Sequence, residues 1–366
     1  MKVGIITYHY GANYGGVLQC LALQTAVAKL GHEVEIINFI PGTHRSTPIW
    51  RGWEFHRVGI DKAPARLVQL RHGSKCLKAF DQFRSQNLSL SETLRSLEDF
   101  RAIASRYDAI ITGSDQVWNF RCSPAYFLDL DERFSGRRIS YASCCTQESQ
   151  APDRIEPVGA WVKKFDYVSV RDTFSQKAIQ NASGNRAQIV CDPTLLMEPD
   201  WLLDESNVRD SSRILVYRLG KPFTKDMKAA LEYLKSRTGC KTSEGIVAST
   251  FNPHTSPETD IVQYHLGPRD WVKKIHGTGL LVTDSYHGIL FALRMQVPFL
   301  AYCEELERSP RLRDLSARFG LGSRILKNLE ELHTLPDELL RYPETVSPLM
   351  RQHIAHSLEY LTAALA

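Results

Sequence analysis

The sequence predicts an α/β protein of two Rossmann-like domains, with mainly parallel sheets that face a central cleft. Short apolar runs alternate with longer segments of helical spacing along most of the 366 residues. This alternation is typical of β-α-β units, which require parallel strands. Polar or glycine-bearing turns follow most of the apolar runs. Ligands of open α/β sheets bind at such turns, beyond the carboxyl ends of the strands.

The first β-α-β unit opens the chain. Residues 3–7 are an apolar run, the loop GANYGG (11–16) follows, and leucines at helical spacing predict a helix from Val17 to Leu30. Gly31 ends that helix, and 33–39 is the second strand. The stretch 41–84 has little periodicity and many basic and aromatic residues. It is predicted to be a basic helical insertion.

Two further series of elements follow the insertion. The first consists of strands at 107–112, 137–143, 166–170 and 187–191. The second consists of a strand at 213–217, a helix at 222–237, a strand at 244–249, two helices over 257–275, strands at 279–283 and 298–302 around a helix at 288–294, and an amphipathic helix from 348 onward. The predicted domains are 1–197, which includes the insertion, and 198–366.

The composition excludes several classes of protein. A net charge of +4 gives no indication of nucleic-acid binding, and 43% hydrophobic residues suffice for two cores. No apolar stretch reaches the ~18 residues of a membrane span. The start, MKVGIITYHY, predicts a strand rather than a signal peptide. We therefore expect a cytoplasmic protein.

The eight cysteines include no C-x-x-C pair. The adjacent Cys144 and Cys145 allow two interpretations, a redox element or buried thiols at a strand end. A reducing compartment favours the second. The histidines are scattered, without an H-E-x-x-H pattern or a P-loop, so no metal site is expected.

Two turns in the first half suggest ligand binding. The glycines of GANYGG let a ligand approach the backbone, and a helix N-terminus stabilises an anion by about 0.3–1 kcal/mol. A flexible strand-to-helix turn explains the same residues. GSDQVWN (113–119) offers a carboxylate, amides and an indole, the groups that commonly hold sugars. A capped helix start with a core tryptophan is the alternative.

Three later turns carry further candidates. Arg171, in SVRDTFS (169–175), is suited to clasping a carboxylate or phosphate through two parallel hydrogen bonds, or else forms a surface pair with Asp172. CDPTLL (191–196) ends a strand abruptly and is predicted to be structural. His287, in TDSYHG (283–288), follows a strand beside Ser285. Imidazole is the side chain best matched to proton transfer near neutral pH.

An ordered set of segments resembles the polysaccharide pyruvyl transferase family over about residues 3–302. They are NYGGVLQCLALQ, YDAIITGSDQVWN, ISYASC, VSVRDTFS, CDPTLL and VTDSYHGILFALRMQVPFLAY. The family is similar to GT-B glycosyltransferases in architecture. Its characterised members move a pyruvyl group from phosphoenolpyruvate to two hydroxyls of a sugar, which forms a ketal and releases phosphate. Arg171 matches the family's arginine after the fourth strand, and His287 matches the histidine of its C-terminal block.

The turns and the resemblance together define a site hypothesis. His287 is the general acid, and Asp115 orients or deprotonates the acceptor hydroxyl. The expected donor-binding residues are Arg171, Ser285, Gly288, Gly15, Gly16 and Asn13, and the expected acceptor-binding residues are Gln116, Trp118 and Asn119. Phosphoenolpyruvate is the co-substrate, and no cofactor is expected.

One position departs from the family pattern. Some members have an arginine two residues before the histidine, where this chain has Ser285. A phosphate-binding charge is lost there. Either another cation compensates, with Arg294, Lys273 and Lys274 as candidates, or the donor differs.

Other functions and partners stay open at this stage. The alternatives are a glycosyltransferase that uses a nucleotide sugar and a non-catalytic sugar-binding protein. The insertion mixes basic residues with Trp50, Trp53 and Phe55. It either rests on anionic headgroups at the inner membrane face, where a lipid-linked saccharide acceptor would be met, or packs onto the first domain. The sequence does not indicate an oligomeric state.

Overall fold

A six-stranded parallel arrangement forms the first half of the protein. The computed structural model describes residues 1–41, 63–120, 122–146, 153, 155–198, 202–203, 209–219, 227–247, 258–306 and 309–366, with side chains of the insertion from 73 onward. The strands are β1 Lys2–Ile6, β2 Glu33–Ile36, β3 Ala109–Thr112, β4 Arg137–Ser140, β5 Ser169–Val170 and β6 Gln188–Ile189. Four pair in the order β2-β1-β3-β4, and parallel bridges continue the sheet from β4 to the β5-β6 pair.

Among the described residues, five α-helices accompany this sheet. They are α1 Tyr14–Lys29, α2 Ala63–Asn87, α3 Leu97–Ala104, α4 Ile155–Val162 and α5 Thr173–Ser183. Helix α1 begins three residues earlier than predicted, because the side chain of Asn13 accepts a hydrogen bond from the Gly16 amide and caps the helix. This brings Gly15 and Gly16 of the loop into the first turn of α1.

A second sheet of six parallel strands forms the other half. Its strands are β7 Arg213–Arg218, β8 Thr242–Val247, β9 Ile261–Gln263, β10 Leu280–Thr283, β11 Phe299–Tyr302 and β12 Ile325–Leu326, in the order β12-β11-β10-β7-β8-β9. Its helices are α6 Met227–Thr238, α7 Pro268–His276, α8 Tyr286–Arg294, α9 Pro310–Phe319 and α10 Val346–Leu365. The prediction of an α/β protein with two mainly parallel sheets is confirmed.

Two details of the second half differ from the prediction. The stretch 257–275 was expected to hold two helices, but its described part contains the edge strand β9 and only one helix, α7. The physical reason is local: Gly267 and Pro268 start a helix at that point, and Ile261 to Gln263 pair with β8. Helix α9 was not predicted, although Pro310 and Gly320 bracket it as start and stop signals.

An aromatic cluster joins the two halves. Tyr14 of α1 stacks on Trp271 of α7, with ring centroids 5.2 Å apart, and also touches Phe80 of the insertion helix α2 and Tyr217 of β7. The Tyr14 hydroxyl donates to the backbone oxygen of Leu266 at 2.9 Å. The buried core is therefore continuous across the junction at the N-terminus of α1.

Helix α10 crosses back from the second half to the first sheet. The Tyr360 hydroxyl donates to the Ser140 oxygen at 2.9 Å, and the Cys191 amide donates to the Ser357 hydroxyl at 2.8 Å. This helix was expected to belong to the second domain, but it packs on the end of β4. The predicted boundary at 197/198 stays a prediction.

The membrane hypothesis for the insertion rests largely on residues outside those described. Trp50, Trp53 and Phe55 all lie in 42–62. Farther along α2, Cys76 and Phe80 are buried in the core. None of the helices in the described part of the chain is both long and apolar enough to span a bilayer.

Candidate functional site

Arg171 and His287 come from opposite halves of the chain and converge on one carboxylate oxygen. Nη1 of Arg171 donates to Oδ2 of Asp192 at 2.8 Å, and Nε2 of His287 lies 3.5 Å from the same oxygen. Each residue follows the carboxyl end of a parallel strand: Arg171 follows β5, and His287 follows β10. The two sheets therefore present their carboxyl edges to each other at this point, which is where ligands of open α/β sheets bind.

Asp192 lies at the centre of a buried group that also contains Arg171, His287, Ser114 and Asp115, here called the Asp192 cluster. The sequence predicted a structural role for the turn that carries Asp192. Its Oδ1 accepts hydrogen bonds from the amide and the hydroxyl of Thr194, which fixes the carboxylate. Its Oδ2 also accepts from the Ser114 hydroxyl at 3.1 Å. Burial alone would raise the pKa of Asp192, but the neighbouring His287 and Arg171 outweigh it and hold that pKa well below its ordinary value.

Arg171 is completely buried between acidic and aromatic groups. Besides Asp192, its guanidinium contacts Oδ1 of Asp115 at 3.4 Å and the Ser114 hydroxyl at 3.4 Å. The ring centroid of Tyr286 lies 4.9 Å from its central carbon. Its Nε has no hydrogen-bond partner among the described residues. Arg171 is therefore a fixed interior cation rather than half of a surface ion pair.

His287 lies in the first turn of α8 and is pressed against the first turn of α1. A Cβ built on Gly15 would lie 2.0 Å from Nδ1 of His287, so only glycine fits at position 15. The imidazole is 10% exposed, and no described residue hydrogen-bonds to its Nε2. The 3.5 Å contact with Asp192 is longer than an ordinary N–H···O bond.

Asp115 adopts a backbone conformation that is rare for a residue with a side chain. Its φ is 77°, in the left-handed region, and its Oδ1 accepts from the Gln116 amide at 2.9 Å. Its backbone oxygen accepts from the amide of Cys144, which anchors the turn to the next strand. Such conformations cost of order 1–3 kcal/mol and cluster at functional sites. Asp115 joins the cluster through its contact with Arg171, and its role toward an acceptor stays a prediction.

The helix-capping residues have structural partners of their own. The Asn13 side chain accepts from the Gly16 amide, and the Ser285 hydroxyl accepts from the Gly288 amide, both at 3.2 Å. These two amides are thus occupied by their caps. Direct contact of the donor with these four residues stays a prediction.

Trp118 is not a sugar-binding surface. Its indole is fully buried, stacks on Phe127 with centroids 6.0 Å apart, and donates through Nε1 to the Tyr126 oxygen. The expected acceptor contact of Trp118 is therefore wrong, because no face of the ring is open. Gln116 and Asn119 of the same turn are partly exposed and stay candidates.

The structure also bears on the adjacent cysteines and on metal binding. Cys144 and Cys145 are free and buried, and burial raises the pKa of Cys144 to about 12 and raises that of Cys145 as well. The structure favours buried thiols over a redox pair. Within the described residues, no group of three or more His, Cys, Asp or Glu side chains is arranged to hold a metal ion.

Two of the three cations proposed to replace the missing arginine are already paired. Arg294 lies 2.7 Å from Glu198, and Lys274 lies 2.6 Å from the buried Glu244. Neither contact belongs to the Asp192 cluster.

The fold is similar to that of nucleotide-sugar enzymes with the GT-B arrangement. UDP-GlcNAc 2-epimerase from Neisseria meningitidis, bound to UDP-GlcNAc, superposes with a TM-score of 0.59 at 11% identity and covers 100% of this chain and 99% of its own. The Methanocaldococcus jannaschii UDP-GlcNAc 2-epimerase gives 0.58 at 12% identity, with 94% and 96% covered. Arabidopsis thaliana UGT89C1 gives 0.52 at 14% identity, with 99% and 98% covered. These likenesses establish the architecture alone.

The family is established at the level of sequence. No curated protein matches the chain as a relative. The profile of polysaccharide pyruvyl transferases, however, matches residues 13–302. That span begins at the Asn13 cap, ends with β11 and contains Asp115, Arg171, Asp192 and His287. The chain belongs to the polysaccharide pyruvyl transferase family.

Proposed function

We propose that this protein transfers the pyruvyl group of phosphoenolpyruvate to two hydroxyls of a saccharide, with formation of a cyclic ketal and release of phosphate. The observation that carries the proposal is the convergence of Arg171 and His287 on Oδ2 of Asp192. Protonation of an enol phosphate at carbon needs a positioned acid, and an anionic donor needs a fixed cation nearby. The cluster offers both at the junction of the two sheets.

His287 is the general acid of the proposed reaction. It donates its proton to the methylene carbon of the enolpyruvyl group, which becomes a methyl group. The adjacent carbon then has oxocarbenium character and is attacked by a first sugar hydroxyl. Asp192, whose carboxylate stays ionised, lies 3.5 Å from Nε2 and orients the imidazole. General acid catalysis of this kind contributes about 10²–10⁴-fold.

The second half of the reaction closes the ketal. The bond from carbon to the phosphate oxygen breaks, phosphate leaves with the bonding pair, and a second sugar hydroxyl adds to the same carbon. Each hydroxyl loses one proton in the process. In this proposal Asp115, which is 6% exposed and adjoins the partly exposed Gln116, orients an acceptor hydroxyl or takes its proton.

The acceptor is proposed to be a sugar of a cell-surface polysaccharide or of its lipid-linked precursor, which the protein would meet in the cytoplasm at the inner membrane face. Mass spectrometry of lipid-linked and soluble oligosaccharides incubated with phosphoenolpyruvate tests the reaction. We expect one pyruvyl ketal per acceptor with the wild-type protein and a loss of two or more orders of magnitude with His287→Ala.

A parallel incubation with UDP-GlcNAc separates the rival functions. Consumption of UDP-GlcNAc without consumption of phosphoenolpyruvate would identify a nucleotide-sugar glycosyltransferase instead. Binding of the saccharide without turnover of either donor would identify a sugar-binding protein. Arg171→Lys should weaken the binding of phosphoenolpyruvate, because a single ammonium cannot reproduce a planar guanidinium with two parallel donors.

A further inference from the structure

The cluster around Asp192 is short of positive charge for an anionic donor. The guanidinium of Arg171 is shared by two carboxylates, those of Asp192 at 2.8 Å and Asp115 at 3.4 Å. The carboxylate of Asp192 stays ionised, because its pKa is lowered. Phosphoenolpyruvate adds a phosphate and a carboxylate to these charges. His287 supplies one positive charge when protonated, but it loses that charge when it donates its proton.

Ser285 does not compensate for this shortage. Its hydroxyl accepts from the Gly288 amide and is 3% exposed, so it serves as the cap of α8. Arg294 and Lys274 are engaged by Glu198 and Glu244. A cation on another element close to the cluster would compensate in their place.

Arg311 is the residue that fits. It lies in the first turn of α9, and its guanidinium carbon is 5.7 Å from the ring centroid of Tyr286, the ring that Arg171 also contacts at 4.9 Å. Tyr286 directly precedes His287. Arg311 is partly exposed, and within the described residues no carboxylate forms an ion pair with it. It is a cation beside the cluster that is not neutralised there.

The charge of Arg311 acts on the same buried thiol as that of Arg171. Burial raises the pKa of the Cys144 thiol, and the positive charges of Arg171 and Arg311 both oppose that rise. The backbone of Cys144 is joined to Asp115, which contacts Arg171, by a hydrogen bond from its amide.

We infer that Arg311 is a second donor-binding cation, which takes a phosphate or carboxylate oxygen of the donor in place of the charge missing at Ser285. The inference rests on the proposed function for the identity of the donor. Tyr286 contacts both guanidinium groups, so Arg311 lies on the same ring as Arg171, beside His287. An anion bound beside Tyr286 takes N–H bonds from the partly exposed guanidinium of Arg311.

Isothermal titration of the purified protein with phosphoenolpyruvate, and separately with inorganic phosphate, tests the inference. Arg311→Gln keeps most of the stem and removes the charge. We expect it to weaken the binding of both ligands about 10- to 100-fold, as for the loss of a charged hydrogen bond. Arg311→Lys should fall between Arg311→Gln and the wild type, a graded result that a purely structural role would not give. Arg313→Gln, at an exposed position two residues along α9, is the matched control and should bind as the wild type does. Melting temperatures of all variants report whether folding is preserved.

The outcomes separate this inference from the proposed function. Unchanged affinity of Arg311→Gln for both ligands overturns the inference and leaves the proposed function standing. If the wild type binds phosphate but not phosphoenolpyruvate, and Arg311→Gln loses phosphate, the inference holds and the proposed donor is wrong. A wild-type protein that binds neither ligand overturns both.

Discussion

His287 lies so close to Gly15 that a single added methyl group has no room. A Cβ at position 15 would be 2.0 Å from Nδ1 and 2.3 Å from Cγ of the imidazole, whereas ordinary van der Waals contacts begin near 3.4 Å. Because Cγ is the innermost ring atom, turning the far end of the ring does not remove the clash. Gly15→Ala must therefore shift the imidazole, or helix α8 that carries it, by roughly 1 Å.

A shift of this size has a predictable effect on turnover. A misplacement of about 1 Å costs about 10²-fold in a positioned reaction. We therefore expect kcat/KM of Gly15→Ala for acceptor-dependent release of phosphate from phosphoenolpyruvate to fall about 100-fold. Gly73→Ala is the control, since Gly73 also lies in a helix and a Cβ there meets nothing within 4 Å. It should keep wild-type turnover.

The stability of the two variants separates a moved side chain from a damaged fold. Alanine in place of glycine favours a helix by about 1 kcal/mol, a gain that the clash at position 15 opposes but that Gly73→Ala keeps. Both proteins should show a cooperative thermal transition. If folded Gly15→Ala retains kcat/KM within about twofold of the wild type, the placement of His287 as the acid is refuted.

Three further predictions concern charge, packing and pH. Asp192→Asn leaves buried Arg171 with a weakened set of partners, so urea denaturation at pH 7 should show a loss of about 3–5 kcal/mol in unfolding free energy. Folding lowers the pKa of Asp192. The difference in unfolding free energy between Asp192→Asn and the wild type should therefore shrink only below about pH 4, the pKa of an unfolded aspartate. A difference that stays constant at lower pH would contradict this. Trp118→Phe should lower the melting temperature and leave KM for the acceptor unchanged, and a raised KM would restore the sugar-stacking role. Burial and Arg318 lower the pKa of His353 from 6.5 to about 4, so the unfolded chain binds more protons between these values. The melting temperature of the wild type should fall more steeply from pH 6.5 to 4 than that of His353→Gln, and parallel curves would count against this assignment.

Strand ends were the informative part of the sequence. Arg171 and His287 could be predicted because each follows a short apolar run, and parallel strands bring their carboxyl ends to one edge of a sheet. The same logic applied to Asp192, which also follows a strand. The adjoining proline explains an abrupt strand end without any ligand, so local pattern favours a structural role for this turn. An aspartate at such an edge is nevertheless itself a signal of a ligand site.

The direction of a side chain and the packing of distant segments could not be predicted from the spacing of residue types along the sequence. The turn GSDQVWN does not reveal whether Trp118 faces the cleft or the core, because a single residue in a turn has no periodicity. In the structure it is buried against Phe127. The return of α10 to Ser140, and the approach of Arg311 to Tyr286, depend on contacts between distant parts of the chain. No spacing rule encodes them.

The proton that His287 is proposed to deliver to the methylene carbon of phosphoenolpyruvate can be traced by isotope. The reaction is run in D₂O, followed by mass and NMR analysis of the pyruvylated saccharide. We expect one solvent-derived deuterium in the new methyl group of the ketal, and no ketal above background with His287→Gln. A product whose methyl group carries no deuterium, or a ketal formed at the wild-type rate by His287→Gln, would contradict it.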